Sequence, residues 1–108
     1  MLELFMLSTC PYCHKVMDFM DEHGIAYKTI DISNIQNEEA LIKIGGKRQV
    51  PFLIDRENNV EMYESGDIIE YLKTLWYELF KFKYNFVFYY NKYIIVLIAC
   101  YFIKMYNT

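Results

Sequence analysis

Leu2, Leu4 and Met6 alternate with Glu3 and Phe5, and the apolar run stops at Ser8-Thr9. So short and nearly continuous a run predicts a strand buried on both faces. The spacing then changes from two to three and four: Cys13, Val16, Met17 and Met20 recur at helical intervals until Gly24. Thr9 is placed to cap this helix, and Pro11 fits its first turn, where a missing N–H removes no hydrogen bond. Residues Ala26 to Ile32 read as a second strand. Ser33 or Asn34 can then cap a helix carrying Ile35, Leu41, Ile42 and Ile44 up to a Gly45-Gly46 stop. Phe52-Leu53-Ile54 and Val60-Glu61-Met62-Tyr63 flank Arg56-Glu57-Asn58-Asn59, whose Asn pair tolerates the positive φ of a tight hairpin. Ser65 is placed to cap a last helix with Asp67 in its first turn and Ile68, Ile69, Leu72 and Leu75 on its inner face. Together these elements predict an α/β domain, a four-stranded mixed sheet flanked by three helices, with no internal repeat.

Composition changes this picture in one place. The 108 residues are 55% hydrophobic and 23% charged, which fits one folded domain and excludes a disordered chain. A net charge of -3 offers no general attraction for nucleic acid. The average hides a seam near residue 75: residues 1–75 hold 7 Lys/Arg against 13 Asp/Glu, whereas residues 76–108 hold 4 Lys, 1 Glu and 13 of the 20 aromatic residues. We therefore expect a domain over 1–75 and an aromatic-rich hydrophobic tail over 76–108. The longest apolar run of the tail, Tyr93 to Ile103, is shorter than the roughly 17 to 25 residues a membrane span needs. Three readings of the tail stay open: an interfacial segment giving membrane association, an extra helix packed on the domain or in a dimer, and an extension from AT-rich coding sequence. Phe, Tyr, Ile, Asn and Lys, each with a codon of A and T only, supply 23 of its 33 residues. At the other end, Glu3 and the lack of a basic leader do not read as a signal peptide, so the expected location is cytoplasmic.

Of the three cysteines, two form Cys10-Pro11-Tyr12-Cys13 at the start of the first predicted helix. A helix N-terminus presents unpaired amides and partial positive charge, which favour a thiolate over a thiol. Cys10, at the mouth of the helix, is the expected nucleophile. Cys13, one turn deeper and facing inward, is the expected resolving thiol. Zinc also uses CxxC pairs, but it needs four ligands, and His14 and His23 lack the spacing of a second pair. No metal is therefore expected, and both histidines read as surface helix residues. Cys100 is expected to take no part in catalysis.

Cys10-Pro11-Tyr12-Cys13, Val50-Pro51 before a hairpin, and Ser65-Gly66-Asp67 opening the last helix stand in the order and spacing of a glutaredoxin. Over residues 1 to about 75 the chain resembles that family, which implies the thioredoxin-like fold. The resemblance further implies glutathione-dependent reduction of protein or small-molecule disulfides and of glutathione mixed disulfides, by a protein expected to be a monomer. It makes Cys10 the attacking and Cys13 the resolving thiol, with Tyr12 lining the glutathione groove. Pro51 is implied as a cis-proline that leaves Val50 to pair with the cysteinyl backbone of glutathione. Lys47 would meet the glycyl carboxylate, and Ser65, Gly66 and Asp67 would meet the γ-glutamyl end, Asp67 through the α-amino group.

Two positions depart from the family: Leu7 stands where many glutaredoxins have a lysine, and Gly66 where a polar residue is common. The stretch Gln49 to Leu53 with Tyr63-Glu64-Ser65 is also similar to the amino-terminal domain of glutathione transferases, in which Glu64 and Ser65 would hold the γ-glutamyl end. A transferase-like or membrane-tethered glutathione-binding module is therefore the alternative reading. An iron-sulfur carrier ranks below both, because carriers of this family usually have Gly-Phe-Ser where this chain has Pro11-Tyr12-Cys13.

Overall fold

A computed structural model describes residues 1–88 and 104–106, with the backbone alone over 79–88. The chain divides into two compact units, Met1–Thr74 and Leu75–Thr108. The first is built in the order β1 (Leu2–Met6), α1 (Pro11–Glu22), β2 (Tyr27–Asp31), α2 (Ile35–Gly45), β3 (Phe52–Asp55), β4 (Val60–Tyr63) and the start of α3 (Ser65–Phe88). Its sheet has the order β2-β1-β3-β4, with β1 parallel to β2 and antiparallel to β3, and β3 antiparallel to β4. This is the thioredoxin-like fold that the pattern and the resemblance imply.

Parity along the strands sorts the core. Phe5 pairs with Phe52 and so shares its face of the sheet, where both belong to one buried cluster with Ile54, Ile32 and Leu41 of α2. Leu4 and Leu53, also paired, point to the opposite face. Val16 and Met20 of α1 and Ile68 and Leu72 of α3 are fully buried as well. Burial of each such side chain contributes about 1.5 to 3 kcal/mol, which makes this unit able to hold its shape without cross-links.

Several local expectations hold. Asn34 rather than Ser33 caps α2, its Oδ1 accepting from the amides of Gln36 and Asn37 at 2.9 and 3.3 Å. Asn59 takes φ 55° in the hairpin, as its short polar side chain allows. Gly46 ends α2 in the left-handed region at φ 89° and donates its N–H to the Ile42 carbonyl at 2.8 Å. Gly45 is required for a different reason, since a Cβ there would collide with the Tyr63 hydroxyl.

Three expectations are corrected. Thr9 does not cap α1: the chain turns over Leu7–Cys10, with Cys10 N–H donating to the Leu7 carbonyl at 3.1 Å, so Cys10 becomes the cap and makes no side-chain capping bond. Ser65 does not cap α3 but begins it. The cap is Glu64, at φ 70°, whose carbonyl accepts the Ile68 N–H at 2.9 Å. In α2 only Leu41 is buried, while Ile35, Ile42 and Ile44 are exposed, Ile35 at 69%. An 11-residue helix lying on one sheet face buries a narrow stripe, and the rest of its apolar periodicity faces outward.

The second unit is described as the helical backbone of α3 up to Phe88 and a helical turn at 104–106. The Tyr93 to Ile103 run and Cys100 lie outside the described residues. Among those described, no helix is long and apolar enough to cross a membrane.

Candidate functional site

The register explains why residues far apart in sequence meet at one end of the sheet. Phe5, Phe52 and Tyr63 form a row across β1, β3 and β4, with ring centroids 5.9 Å apart for the first pair and 4.4 Å for the second. Beyond this row β1 runs out into Leu7–Cys10, β3 enters from Val50–Pro51, and β4 runs out into Glu64. Leu7, Val50 and Tyr63 all pack, partly buried, on the cluster that contains Phe5 and Phe52. The Val50–Pro51 peptide is cis and Pro51 is buried, as the resemblance implies.

At this end Cys10 is half-buried, whereas Cys13 is wholly buried, and both are free thiols. Burial pushes the Cys13 thiol up to about 12. A hydrogen bond with the Leu7 backbone works the other way, and the hydrogen bond and charge of Cys10 add to the rise. Cys13 therefore keeps its proton at neutral pH and is a donor to the Cys10 sulfur. The pair is asymmetric: one sulfur is accessible at the helix mouth, and the other lies behind it as a protonated partner. His14, next in sequence, donates from Nε2 to the Ser8 carbonyl at 2.5 Å.

The other predicted site residues fall in two neighbouring segments. Lys47 Nζ lies 4.6 Å from the Tyr63 ring centroid, and the Tyr63 hydroxyl donates to the Lys47 carbonyl at 2.9 Å. Arg48 is paired with Glu38 at 3.0 Å, which leaves Lys47 as the cation nearer the Tyr63 row. Gln49 Nε2 donates to Glu64 Oε1 at 2.9 Å, joining the segment before Pro51 to the start of α3. There Ser65 is half-buried and Gly66 and Asp67 are exposed. A Cβ at Gly66 would meet nothing within 4 Å, so this end of the helix is open. Tyr12 is 63% exposed at the first turn of α1. The Gln49–Glu64 and Tyr63–Lys47 bonds are not legible from residue types, because they depend on β4 delivering its C-terminal end beside the 46–51 loop. Among the described residues, no group of three or more His, Cys, Asp or Glu side chains is placed to hold a metal ion.

Comparison with known proteins agrees with this geometry. Prostaglandin E synthase 2 of Mus musculus is 35% identical over 75 residues, covering 68% of this chain and 19% of the synthase. Glutaredoxin 1 of Rickettsia conorii is 41% identical over 51 residues, covering 44% of this chain and 50% of the glutaredoxin. The chain thus spans only a minor part of the first relative and half of the second. Among solved structures, Ure2p in complex with glutathione matches 71% of this chain and 34% of its own, with a TM-score of 0.62 and 30% identity. Residues 4–76 match the family model described as glutathione S-transferase, N-terminal domain, and this thioredoxin-fold, glutaredoxin-like chain belongs to that family.

Proposed function

We propose that the protein is a glutathione-dependent thiol-disulfide oxidoreductase acting through Cys10 and Cys13. The observation that carries this reading is the asymmetry of the pair, an accessible Cys10 over a buried, protonated Cys13. Exchange needs an attacking thiolate and a leaving sulfur that departs as a stable thiolate, the faster the lower the pKa of its thiol. The Cys10 thiolate attacks the glutathione sulfur of a mixed disulfide, forming a Cys10–glutathione disulfide and expelling the substrate sulfur, which takes a proton from water. The thiolate of a second glutathione then attacks the glutathione sulfur, giving oxidised glutathione and restoring the Cys10 thiolate. Alternatively Cys13 loses its proton, attacks Cys10, closes the Cys10–Cys13 disulfide and releases glutathione. The raised Cys13 makes this branch the slower one at neutral pH.

In this reading Val50 pairs through its N–H and C=O with the cysteinyl part of glutathione, as a short strand edge receives a peptide, and buried Pro51 holds it there. Lys47 meets the glycyl carboxylate. The first-turn amides at Gly66 and Asp67 receive the γ-glutamyl carboxylate, because helix starts attract anions, with Ser65 beside them and Asp67 on the amino group. Tyr12 lines the groove. The substrates are glutathionylated or disulfide-containing proteins and small molecules, met by a monomer in a reducing, cytoplasmic setting.

Reduction of a small glutathione mixed disulfide, coupled to glutathione reductase and NADPH, tests the proposal: steady NADPH consumption is expected, and none would reject it. The second reading, a transferase-like glutathione-binding module, is favoured by the family match over 4–76 and by the Gln49–Glu64 bond beside Ser65. It is distinguished by binding of an S-alkyl glutathione and conjugation of an electrophile without disulfide reduction.

A further inference from the structure

Ser8 and Thr9 are exposed, and Cys10 caps α1 without a side-chain capping bond, so little packing holds the corner that carries the nucleophile. Hydrogen bonds do so instead. Cys10 N–H closes the turn onto the Leu7 carbonyl at 3.1 Å. His14 then binds the corner twice, its main-chain N–H donating to the Cys10 carbonyl at 3.2 Å and its ring Nε2 reaching back to the Ser8 carbonyl at 2.5 Å. A carbonyl only accepts, so Nε2 carries the hydrogen. The main-chain bond belongs to any helix. The ring bond depends on this side chain, and it ties the segment before Cys10 to the first turn after it. His14 is exposed, so its contribution lies in the geometry of the corner.

We infer that His14 is a positioning residue: by clamping the Ser8 carbonyl it holds the Ser8–Cys10 corner and aims the Cys10 sulfur at an incoming disulfide. Without the clamp the two exposed residues before Cys10 gain freedom, and the sulfur spends less time in the orientation from which it attacks. The inference rests on Cys10 being the attacking thiol.

The test compares the full chain with His14→Ala, His14→Gln and His14→Asn. The terminal nitrogen of Gln lies as many bonds from the backbone as Nε2, whereas that of Asn reaches only as far as Nδ1. Two rates are measured: alkylation of Cys10 by iodoacetamide, read by peptide mass spectrometry, and turnover of the glutathione mixed disulfide. Ala and Asn are expected to lower both by about tenfold and Gln to restore them to within about twofold, since misplacement by a fraction of an ångström is costly to an attacking group. Melting temperatures close to that of the parent are expected throughout, because no core residue changes. A nitrogen-15 spectrum showing hydrogen on Nε2 of the His14 ring supports the clamp directly. Equal alkylation rates in all four proteins, or rescue by Asn as complete as by Gln, would overturn the inference. If alkylation separates the variants while none, the parent included, turns over the mixed disulfide, it is the oxidoreductase reading that fails and the clamp that stands.

Discussion

The two ends of the sheet treat polar groups in opposite ways. At the end remote from the thiols, Asp55 pairs with Leu2 and Val60 and is only 3% exposed, yet its carboxylate is surrounded by donors. Tyr71 of α3 donates its hydroxyl to Oδ2 at 2.5 Å, and Asn58 donates its side chain to the same oxygen at 2.7 Å and its N–H to Oδ1 at 3.4 Å. Burial alone would raise this carboxyl, but the donors outweigh it and hold the group below the usual carboxylate range. Burial, and then the hydrogen bond to Asp55, push Tyr71 up to about 12. Donor and acceptor are matched, and α3 is fastened to the hairpin. At the thiol end, by contrast, no side chain caps the first-turn amides of α1, and Cys10 remains accessible. At one end buried donors and acceptors satisfy one another; at the other, bonds such as Gln49–Glu64 and His14–Ser8 join exposed segments, and the Cys10 cap makes no side-chain bond to the first turn of α1.

The comparison breaks first, and most severely, at Cys10. Cys10→Ser is expected to lower mixed-disulfide turnover on the order of 10³-fold or more, since the proposed reaction loses its attacking group. Cys13→Ser is expected to keep most of it, because the route through a second glutathione needs only Cys10. Both are read in the same coupled assay, and equal losses would contradict the division of roles. Neither change should touch the remote end.

Next in size is Tyr71→Phe, which leaves a buried carboxylate oxygen short of a donor. The expected cost is about 1 to 3 kcal/mol, read as a lower urea midpoint, with turnover at 25 °C unchanged. An unshifted midpoint would show that the Tyr71–Asp55 bond does not fasten α3, and a loss of turnover would show that the two ends are coupled.

Much of the fold beneath this contrast was legible in the sequence, and the reasons for the rest are physical. Periodicity located β1, α1 and the hairpin, because Leu4, Val16 and Met20 are buried on the faces their spacing marks. The positive φ of Asn59 was readable because few residue types suit that conformation, and the cis bond at Pro51 because the family resemblance implied it. The exposure of Ile35, Ile42 and Ile44 was not, since spacing shows which residues share a helix face but not how much of it the sheet covers. Thr9 lost the cap to Cys10 because a turn over Leu7–Cys10 claimed the chain first. Asp55, Asn58 and Tyr71 look like ordinary surface residues until the fold brings positions 55 and 71 together, and the reach of His14 to Ser8 crosses a turn that no side-chain pattern marks.

A smaller effect appears in the dependence of stability on pH. Asp55 is held below its unfolded value near 3.9, so its contribution is present above that pH and is lost as pH falls through the lower folded value. Tyr71 is raised from 10.0 to about 12, so its contribution is full below pH 10 and is lost as pH rises toward 12. Cys13, raised from 9.0 to about 12, adds to the same alkaline limb from a lower starting pH. The urea midpoint is therefore expected to be flat between about pH 5 and 9 and to fall on both sides. Tyr71→Phe should flatten the upper part of the alkaline limb and Cys13→Ser the lower part. Identical limbs in all three proteins would show that the two ends do not set this profile.

The smallest effect is expected from removing everything after residue 80. Both ends of the sheet lie within Met1–Thr74, and so do Ile68 and Leu72, which are fully buried residues of α3 among those described. The cut removes no residue of that unit and leaves α3 extending past Leu72. A chain ending at residue 80 is expected to be a soluble monomer that melts cooperatively near the parent temperature and turns over the mixed disulfide at the parent rate. Sedimentation velocity, a thermal melt and the coupled assay check these in turn. Loss of cooperative melting or of turnover would mean that residues 81–108 belong to the functional domain, and the stability attributed to the Asp55 end would have to be shared with them.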